Sequence, residues 1–327
     1  MHKGERPVTF TKLMISAAAL VVAAGLSAPT LAQDKLNIAF IPGVGGDAYY
    51  GSVQCGIEKA AAEAGATVQT QAPSSFDPAT QIPILETMIA QNPDAIVIAP
   101  TDSQALFAPL KRAVDQGIKV VLVDTTLADP SIAVSEVSSD NVEAGRVAAQ
   151  KLAEILGDKK GSVLTVNLSA GVTTTDDREK GFAEGIQAAG FKYLGQEFSD
   201  NSVQKADQIV SAALLANPDL VGVFSTAAFN TEGAVAAIRA AGKSGDVQVV
   251  GFNANPPGIE QLARKQVAAQ VVLKPYDEGY EAGKQAIAAL KGEPITAKIL
   301  TGATVATPDN LEDADVAKYV YSFTCPK

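Results

Sequence analysis

"AQNPDAIVIAPT" at residues 90–101 and "LANPDLVGVFST" at residues 215–226 follow one pattern. Pro93 matches Pro218, Asp94 matches Asp219 and Thr101 matches Thr226, each 125 positions apart. Gly65 and Gly190 close helical stretches at the same offset, and so do Gly117 and Gly242. A glycine after a helical run is a common stop signal, so one match says little. Several in one register mean two similar lobes rather than a solenoid of short repeats.

Outward from that pair the whole chain alternates. "LNIAFI", "ATVQTQA", "DAIVIAP" and "KVVLVD" are short apolar runs separated by alanine-rich stretches of helical period. After residue 160 the order restarts with "SVLTVNL", "YLGQEF", "LVGVFST" and "VQVVGFN". Strands alternating with helices predict an α/β fold: two doubly wound, mainly parallel sheets with helices on both faces. A further strand-like run, "VAAQVV", and the helix "YDEGYEAGKQAIAALKG" follow the second copy, so the chain is expected to return to the first lobe. Crossings are expected near Ser135–Ser139, Lys265–Val267 and Thr301–Ala303, which predicts a multi-strand hinge. The corresponding lobes are 33–137 with 267–302, and 138–266 with 303–327.

Residues 1–32 stand apart. Lys3, Arg6 and Lys12 precede an apolar stretch from Leu13 to Leu26, and "SAPTLA" places small residues before Gln33. That order predicts a secretory signal peptide cleaved near Ala32, hence a periplasmic protein. The apolar stretch is short for a membrane anchor. Without this segment 295 residues remain, with 23 Lys/Arg against 35 Asp/Glu, a net charge of −12. An acidic chain without a basic stripe argues against nucleic acid as a partner. The one histidine, His2, falls in the signal segment. The exported chain therefore has no histidine for a Ser–His–Asp mechanism or a zinc site, and neither cofactor nor metal is expected. Paired carboxylates of the glycosidase kind are still open. Cys55 and Cys325 make an even pair in an exported chain; a disulfide is favoured over two buried thiols.

Open parallel sheets bind ligands beyond the carboxyl ends of their strands. In the first lobe those ends are Asp47–Tyr50, Thr101–Asp102 and Asp124–Thr126. In the second they are Gly171–Arg178, Asp200–Ser202, Ser225–Asn230 and Asn253–Asn255. Asp, Asn, Thr and Arg suit paired hydroxyl groups, and tyrosine rings suit the C–H faces of a sugar. Thr101, Asp102 and Thr226 have a second use, as caps of the helices that follow. The loop "IPGVGGDAYYGSV" at residues 41–53 has Gly43, Gly45 and Ala48 at the loose spacing of a dinucleotide fingerprint. The acidic residue that fingerprint needs after the second strand is missing, since the strand ends at Gln71. Its chemistry is expected in Asp47, Tyr49 and Tyr50, with the glycines allowing a tight turn.

With these residues the chain resembles the ribose-type periplasmic sugar-binding proteins of ABC importers, from about Lys35 to about Thr307. The likeness rests on "GDAYYGSVQCGIEKAAAEAG", "PDAIVIAPTDSQA", "GIKVVLVDTT", "VSSDNVEAGRVAAQ", "TTDDREKGFAEG" and "VVGFNANP" taken together. It implies the type I periplasmic binding protein fold and a non-enzymatic binder that captures a small sugar or polyol between closing lobes. A membrane permease is the implied partner, with a chemoreceptor as a further one, and the chain is expected to be a monomer. Carried over, Asp47 binds hydroxyls, Tyr49 and Tyr50 border the ligand, Asp124 takes a hydroxyl pair and Arg178 reaches across from the second lobe. Asn253 stands where the family usually has Asp. Thr125 replaces an Arg found in many relatives, Asn201 or Ser202 stands at the second-lobe aromatic, and Ala227–Ala228 replaces "ND". Leu273, followed by Lys274, stands at the family's Gln. Thr101 and Asn230 complete the expected site. These departures imply one aromatic wall instead of two, which suits a small polyol, a modified sugar or a furanose-like signal such as autoinducer-2. The first strand and helix are also similar to those of rhamnose-binding and autoinducer-2-binding proteins. An exported glycosidase is the competing reading. A regulator of the lac-repressor type shares the fold, but lacks a place here for its DNA-binding helices.

Overall fold

A computed structural model describes residues 1–5, 7, 9, 35–252 and 254–325. The expected signal segment lies almost wholly outside the described residues, and Asn253 lies outside them too. Among the described residues no helix is long and apolar enough to cross a membrane.

The first half runs β1 (Asn37–Ile41), α1 (Ala48–Ala64), β2 (Thr67–Thr70), α2 (Pro78–Ala90), β3 (Ala95–Ile98), α3 (Phe107–Asp115), β4 (Lys119–Val123) and β5 (Ser135–Ser139). The second runs α4 (Asn141–Leu156), β6 (Ser162–Asn167), α5 (Thr173–Ala188), β7 (Lys192–Phe198), α6 (Val203–Ala216), β8 (Leu220–Ser225), α7 (Ala228–Ala240), β9 (Gln248–Phe252), α8 (Pro256–Ala263) and β10 (Ala269–Val272). Then come α9 (Pro275–Lys291), β11 (Lys298–Thr301), β12 (Thr304–Ala306) and α10 (Ala314–Ala317).

Two six-stranded sheets result, ordered β11-β5-β4-β3-β1-β2 and β12-β10-β9-β8-β6-β7. The orders are the same doubly wound arrangement used twice, which is what the 125-residue offset in the sequence encodes. Every pairing is parallel except β10 with β12. The echoed "NPD" has a local job: Asp94 takes the backbone N–H of Asn37 at 2.7 Å, and Asp219 takes the Ser162 hydroxyl at 3.2 Å. Each aspartate fastens the loop entering a central strand to the start of its neighbour. The four repeated glycines have φ of 71°, 93°, 85° and 68° (Gly65, Gly117, Gly190, Gly242), the left-handed region that ends a helix without steric cost.

Side-chain alternation divides the first sheet between two layers. Ile38, Phe40, Val97 and Val121 face a cluster that includes Val53 and Ile57 of α1 and Ala286 of α9. Ala39, Ile41, Ile96 and Leu122 face Leu85 and Met88 of α2 and Leu110 of α3. Burying one such side chain contributes about 1.5–3 kcal/mol, so a strand covered on both faces reads as a continuous apolar run.

The chain passes between the sheets three times: after β5 at Asp140, after β10 at Leu273–Lys274, and between β11 and β12 at Gly302–Ala303. The crossing expected near Lys265–Val267 falls later, because β10 pairs with β9 and stays in the second sheet. Gln270 to Val272 read as a generic apolar strand, and only the pairing partner shows which sheet takes it. Helix α9 then packs very closely on α1. A Cβ on Gly279 would sit 1.9 Å from the Val53 carbonyl oxygen, and one on Gly56 would sit 2.2 Å from that of Tyr276. Cys55 in α1 and Cys325 in the tail are joined by a disulfide, with Cα atoms 5.2 Å apart. On its way there the tail touches the second lobe: the Tyr321 N–H donates to the Ala254 carbonyl at 2.9 Å.

Candidate functional site

The carboxyl ends of both sheets converge on a cavity with about 50 Å³ open to the centres of water molecules. Asp47, Tyr49, Tyr50 and Asp124 line it from the first lobe, and Arg178 and Asn201 from the second.

Tyr49 and Tyr50 come from the first turn of α1, which Asp47 caps by accepting the Tyr49 N–H at 2.9 Å. Asp124 follows β4 with φ at 63°, a left-handed conformation that costs a non-glycine residue energy and is typical of functional sites. That turn delivers its carboxylate to the two phenols. The Tyr50 hydroxyl donates to Oδ2 at 2.7 Å, and the Tyr49 hydroxyl lies 3.1 Å from Oδ1. Burial pushes the Asp124 carboxyl up from its ordinary range; the Arg178 charge and the two phenols pull against it. Asp47 is also raised, chiefly by burial.

Arg178 belongs to α5 and is buried. Its Nε donates to Asn141 Oδ1 at 2.8 Å and Nη1 to the Thr226 carbonyl at 2.9 Å, while its guanidinium carbon lies 4.5 Å from the Phe252 ring centre. Three partners from three elements hold the fork in one position. A Cβ on Gly145 of α4 would sit 2.1 Å from the Arg178 carbonyl oxygen, so α5 takes its place only against a glycine.

Four other expected residues are engaged elsewhere and do not line this cavity. Thr101 donates to Gln81 Oε1 at 2.9 Å through both its N–H and its hydroxyl. Thr125 donates to the Pro100 carbonyl at 2.7 Å. Asn230 donates to the Val166 carbonyl at 3.0 Å and accepts from Ser199. The Lys274 ammonium lies over the Tyr319 ring, 5.0 Å from its centre.

Two aromatic residues not among the expected ligand contacts line the cavity: Phe76, from the loop before α2, and Phe229, from the first turn of α7 within the Ser225–Asn230 strand end. They correct the expectation of a single aromatic wall. Phe76 packs with Leu168, Val172 and Ala227 of the second lobe. Its signal in the sequence is its place beyond the end of β2, a strand end whose chemistry is apolar rather than polar. The glycine loop also finds its explanation. A Cβ on Gly43 would lie 2.4 Å from both the Phe76 ring and the Tyr50 hydroxyl. Gly43 makes room for two aromatic rings rather than for a phosphate, while the turn itself is made at Gly46, with φ at 77°.

Residues 38–294 match the family model described as a periplasmic binding protein domain. The D-ribose/D-allose-binding protein of Pseudomonas aeruginosa is 34% identical over 258 residues, covering 76% of each chain. The ribose import binding protein RbsB of Escherichia coli is 29% identical, with 88% of this chain and 95% of the relative covered. Among solved structures, an ABC transporter solute-binding protein of Agrobacterium vitis bound with α-D-tagatopyranose superposes with a TM-score of 0.85, at 38% identity over 88% of this chain and all of that one. A carbohydrate transporter solute-binding protein of Agrobacterium radiobacter in complex with D-arabinose gives 0.83 at 29% identity, covering 88% of this chain and 99% of that one. These relatives are binding proteins, which sets aside the glycosidase reading. The chain belongs to the periplasmic binding protein family, among the ribose-type sugar-binding proteins of ABC transporters.

Proposed function

We propose that this protein captures one monosaccharide between its two lobes in the periplasm and presents it to the permease of an ABC importer. The observation that carries this reading is the cluster of Asp124, Tyr49 and Tyr50 in the cavity that Arg178 also lines. A buried carboxylate accepts two vicinal hydroxyls, and a fixed guanidinium donates to a ring or anomeric oxygen. Tyr50, Phe76 and Phe229 offer apolar faces to the C–H side of the ring. The ligands named for the relatives, α-D-tagatopyranose, D-arabinose, ribose and allose, are all monosaccharides and define the first ligands to try.

In this reading Asp47 gives one oxygen to its helix cap and the other to the ligand. Asn201 adds a polar contact from the second lobe. The lobes rotate about the three crossings, and the closed form is the one the permease recognises. A micromolar dissociation constant corresponds to about −8 kcal/mol. A few charge-assisted hydrogen bonds at roughly 1.5–3 kcal/mol each supply that after ordering costs.

The test is thermal unfolding in the presence of D-tagatose, D-ribose, D-allose, D-arabinose, a deoxy sugar and a polyol, followed by calorimetric titration. A binder gains stability as RT ln(1 + [L]/Kd). A set of curves with no shift for any of them would set the monosaccharide reading aside.

A further inference from the structure

Glu278, in the first turn of α9, is fully buried and plays no part in the expected site. Its Oε2 lies 2.5 Å from the Tyr49 hydroxyl, the same hydroxyl that stands 3.1 Å from Asp124 Oδ1. Its Oε1 accepts from the Ser139 hydroxyl and, at 2.8 Å, from Thr301. A phenol has one hydrogen and cannot donate to two carboxylates at once. One of the two acids must therefore supply the second hydrogen. Asp124 is the poorer choice, because the Tyr50 hydroxyl already donates to it and the Arg178 charge favours its ionised form.

We propose that Glu278 is the positioning residue of the sugar site: its carboxylic acid donates to the Tyr49 hydroxyl, so that the Tyr49 hydrogen is aimed at Asp124. In this arrangement every polar atom of the cluster has a partner. Ser139 and Thr301 donate to Oε1, the acid hydrogen on Oε2 goes to Tyr49, and Tyr49 and Tyr50 both donate to Asp124. The placement has a second consequence. Ser139 and Thr301 are the last residues of β5 and β11, at two of the three crossings, and the Glu278 N–H donates to the Lys274 carbonyl at the third, at 3.0 Å. One residue, through its carboxyl group at two crossings and its backbone N–H at the third, thus joins the ligand-binding carboxylate to all three connections between the lobes.

The surroundings agree. Burial, and secondarily the Asp124 charge, push the Glu278 carboxyl up to about 7. The groups that act on it most strongly are Asp124 and the hydroxyls of Ser139, Tyr49 and Thr301. Helix α1 offers Tyr49, the end of β4 offers Asp124, β5 and β11 offer hydroxyls, β3 is apolar, and the tail brings Tyr321. Five other charges near these elements are engaged away from it. Lys274 lies over Tyr319, Glu136 takes the Thr126 hydroxyl, Lys298 acts on Asp177, Lys59 pairs with Glu63, and Lys284 pairs with Glu281.

The direction of the pH effect follows. An unfolded glutamate ionises near its ordinary value, while the folded one keeps its proton to higher pH. The folded state therefore loses stability as pH rises from that ordinary value through about 7, and no more above it. Glu278→Gln supplies an amide N–H in place of the acid O–H and cannot ionise; Glu278→Leu supplies neither. The experiment measures unfolding temperature from pH 5 to 8.5 for wild type and Glu278→Gln, and D-tagatose, D-ribose and D-arabinose affinity for all three proteins. The expected result is similar unfolding temperatures near pH 5 and a higher one for Glu278→Gln at pH 8. In binding, Glu278→Leu should lose tenfold or more, with most of it restored in Glu278→Gln. Parallel pH curves for wild type and Glu278→Gln would overturn the proposal, and so would equal affinity in the Leu variant. The binding arm rests on the sugar-binding reading, but the pH arm does not. Wild type that binds none of these sugars yet shows the divergent pH curves would sink that reading and leave the protonated Glu278 standing.

Discussion

Replacing Arg178 with methionine tests the site most directly. Methionine keeps much of the volume of the stem but removes the fork. The Asn141 side-chain oxygen and the Thr226 carbonyl then lose donors held at 2.8 and 2.9 Å, and the Phe252 face loses its cation. Asp124, 8% exposed, loses the strongest influence holding its carboxyl down. Removing one member of a buried, hydrogen-bonded charge set costs about 2–5 kcal/mol in binding. At about 1.4 kcal/mol per factor of ten, the dissociation constant should rise roughly 30-fold to several thousand-fold. Arg178→Lys keeps the charge without the planar fork and should fall between the two. The loss should also depend on pH. Without the guanidinium Asp124 takes up a proton at higher pH than before, and a protonated acid is a poorer acceptor. Binding by Arg178→Met should therefore fade, as pH drops, at a higher pH than in wild type. The assay is titration calorimetry at pH 5.5 and 8 with the best monosaccharide for wild type, with circular dichroism to show that the variant is folded. An Arg178→Met protein within threefold of wild type at both pH values would refute the assignment of Arg178 to the ligand.

Gly43→Ala places a methyl group where the Phe76 ring and the Tyr50 hydroxyl already are, so one ring must move. We expect weakened monosaccharide binding with a normal circular dichroism spectrum; unchanged affinity would contradict the packing role of Gly43. Phe76→Ala removes the contact with Leu168, Val172 and Ala227 across the cleft. It should raise the dissociation rate about tenfold, as most affinity changes within one interface do, with little change in association; an unaltered off-rate by stopped flow would count against it. Cys325→Ser opens a disulfide spanning 270 residues. Loop entropy sets an upper bound of about 5–6 kcal/mol for its contribution. The unfolding temperature should drop measurably, and by less than that bound implies if the tail detaches first; no drop at all would show the bridge to be without effect on stability.

The alternation of strands and helices and the duplication of lobes were legible because both are local or periodic properties. A fully covered parallel strand must be apolar throughout, and a helix that stops in the left-handed region wants glycine. Neither depends on which distant segment lies alongside. Asp47, Tyr49, Tyr50, Asp124, Arg178 and Asn201, which line the cavity, were reachable for a related reason, because strand order fixes where strand ends meet. The departures of Thr101, Thr125 and Asn230, expected at the ligand and engaged elsewhere, share one cause. A polar residue at a strand end has two uses, binding a ligand or satisfying neighbouring polar groups of the protein, and the choice is made by residues far away in sequence. Gln81 claims Thr101, the Pro100 carbonyl claims Thr125, and Val166 and Ser199 claim Asn230.

Sequence alone thus determined the class of fold, the repeat of its topology and the chemical type of its cleft. Which sheet takes β10, where the chain crosses, and which aromatics close the cavity were decided by tertiary packing. Glu278 is the clearest instance. In the sequence it is one of several acidic residues on an amphipathic helix. The close approach of Gly279 to Val53 sets it against Tyr49, and burial there changes what its carboxyl group does.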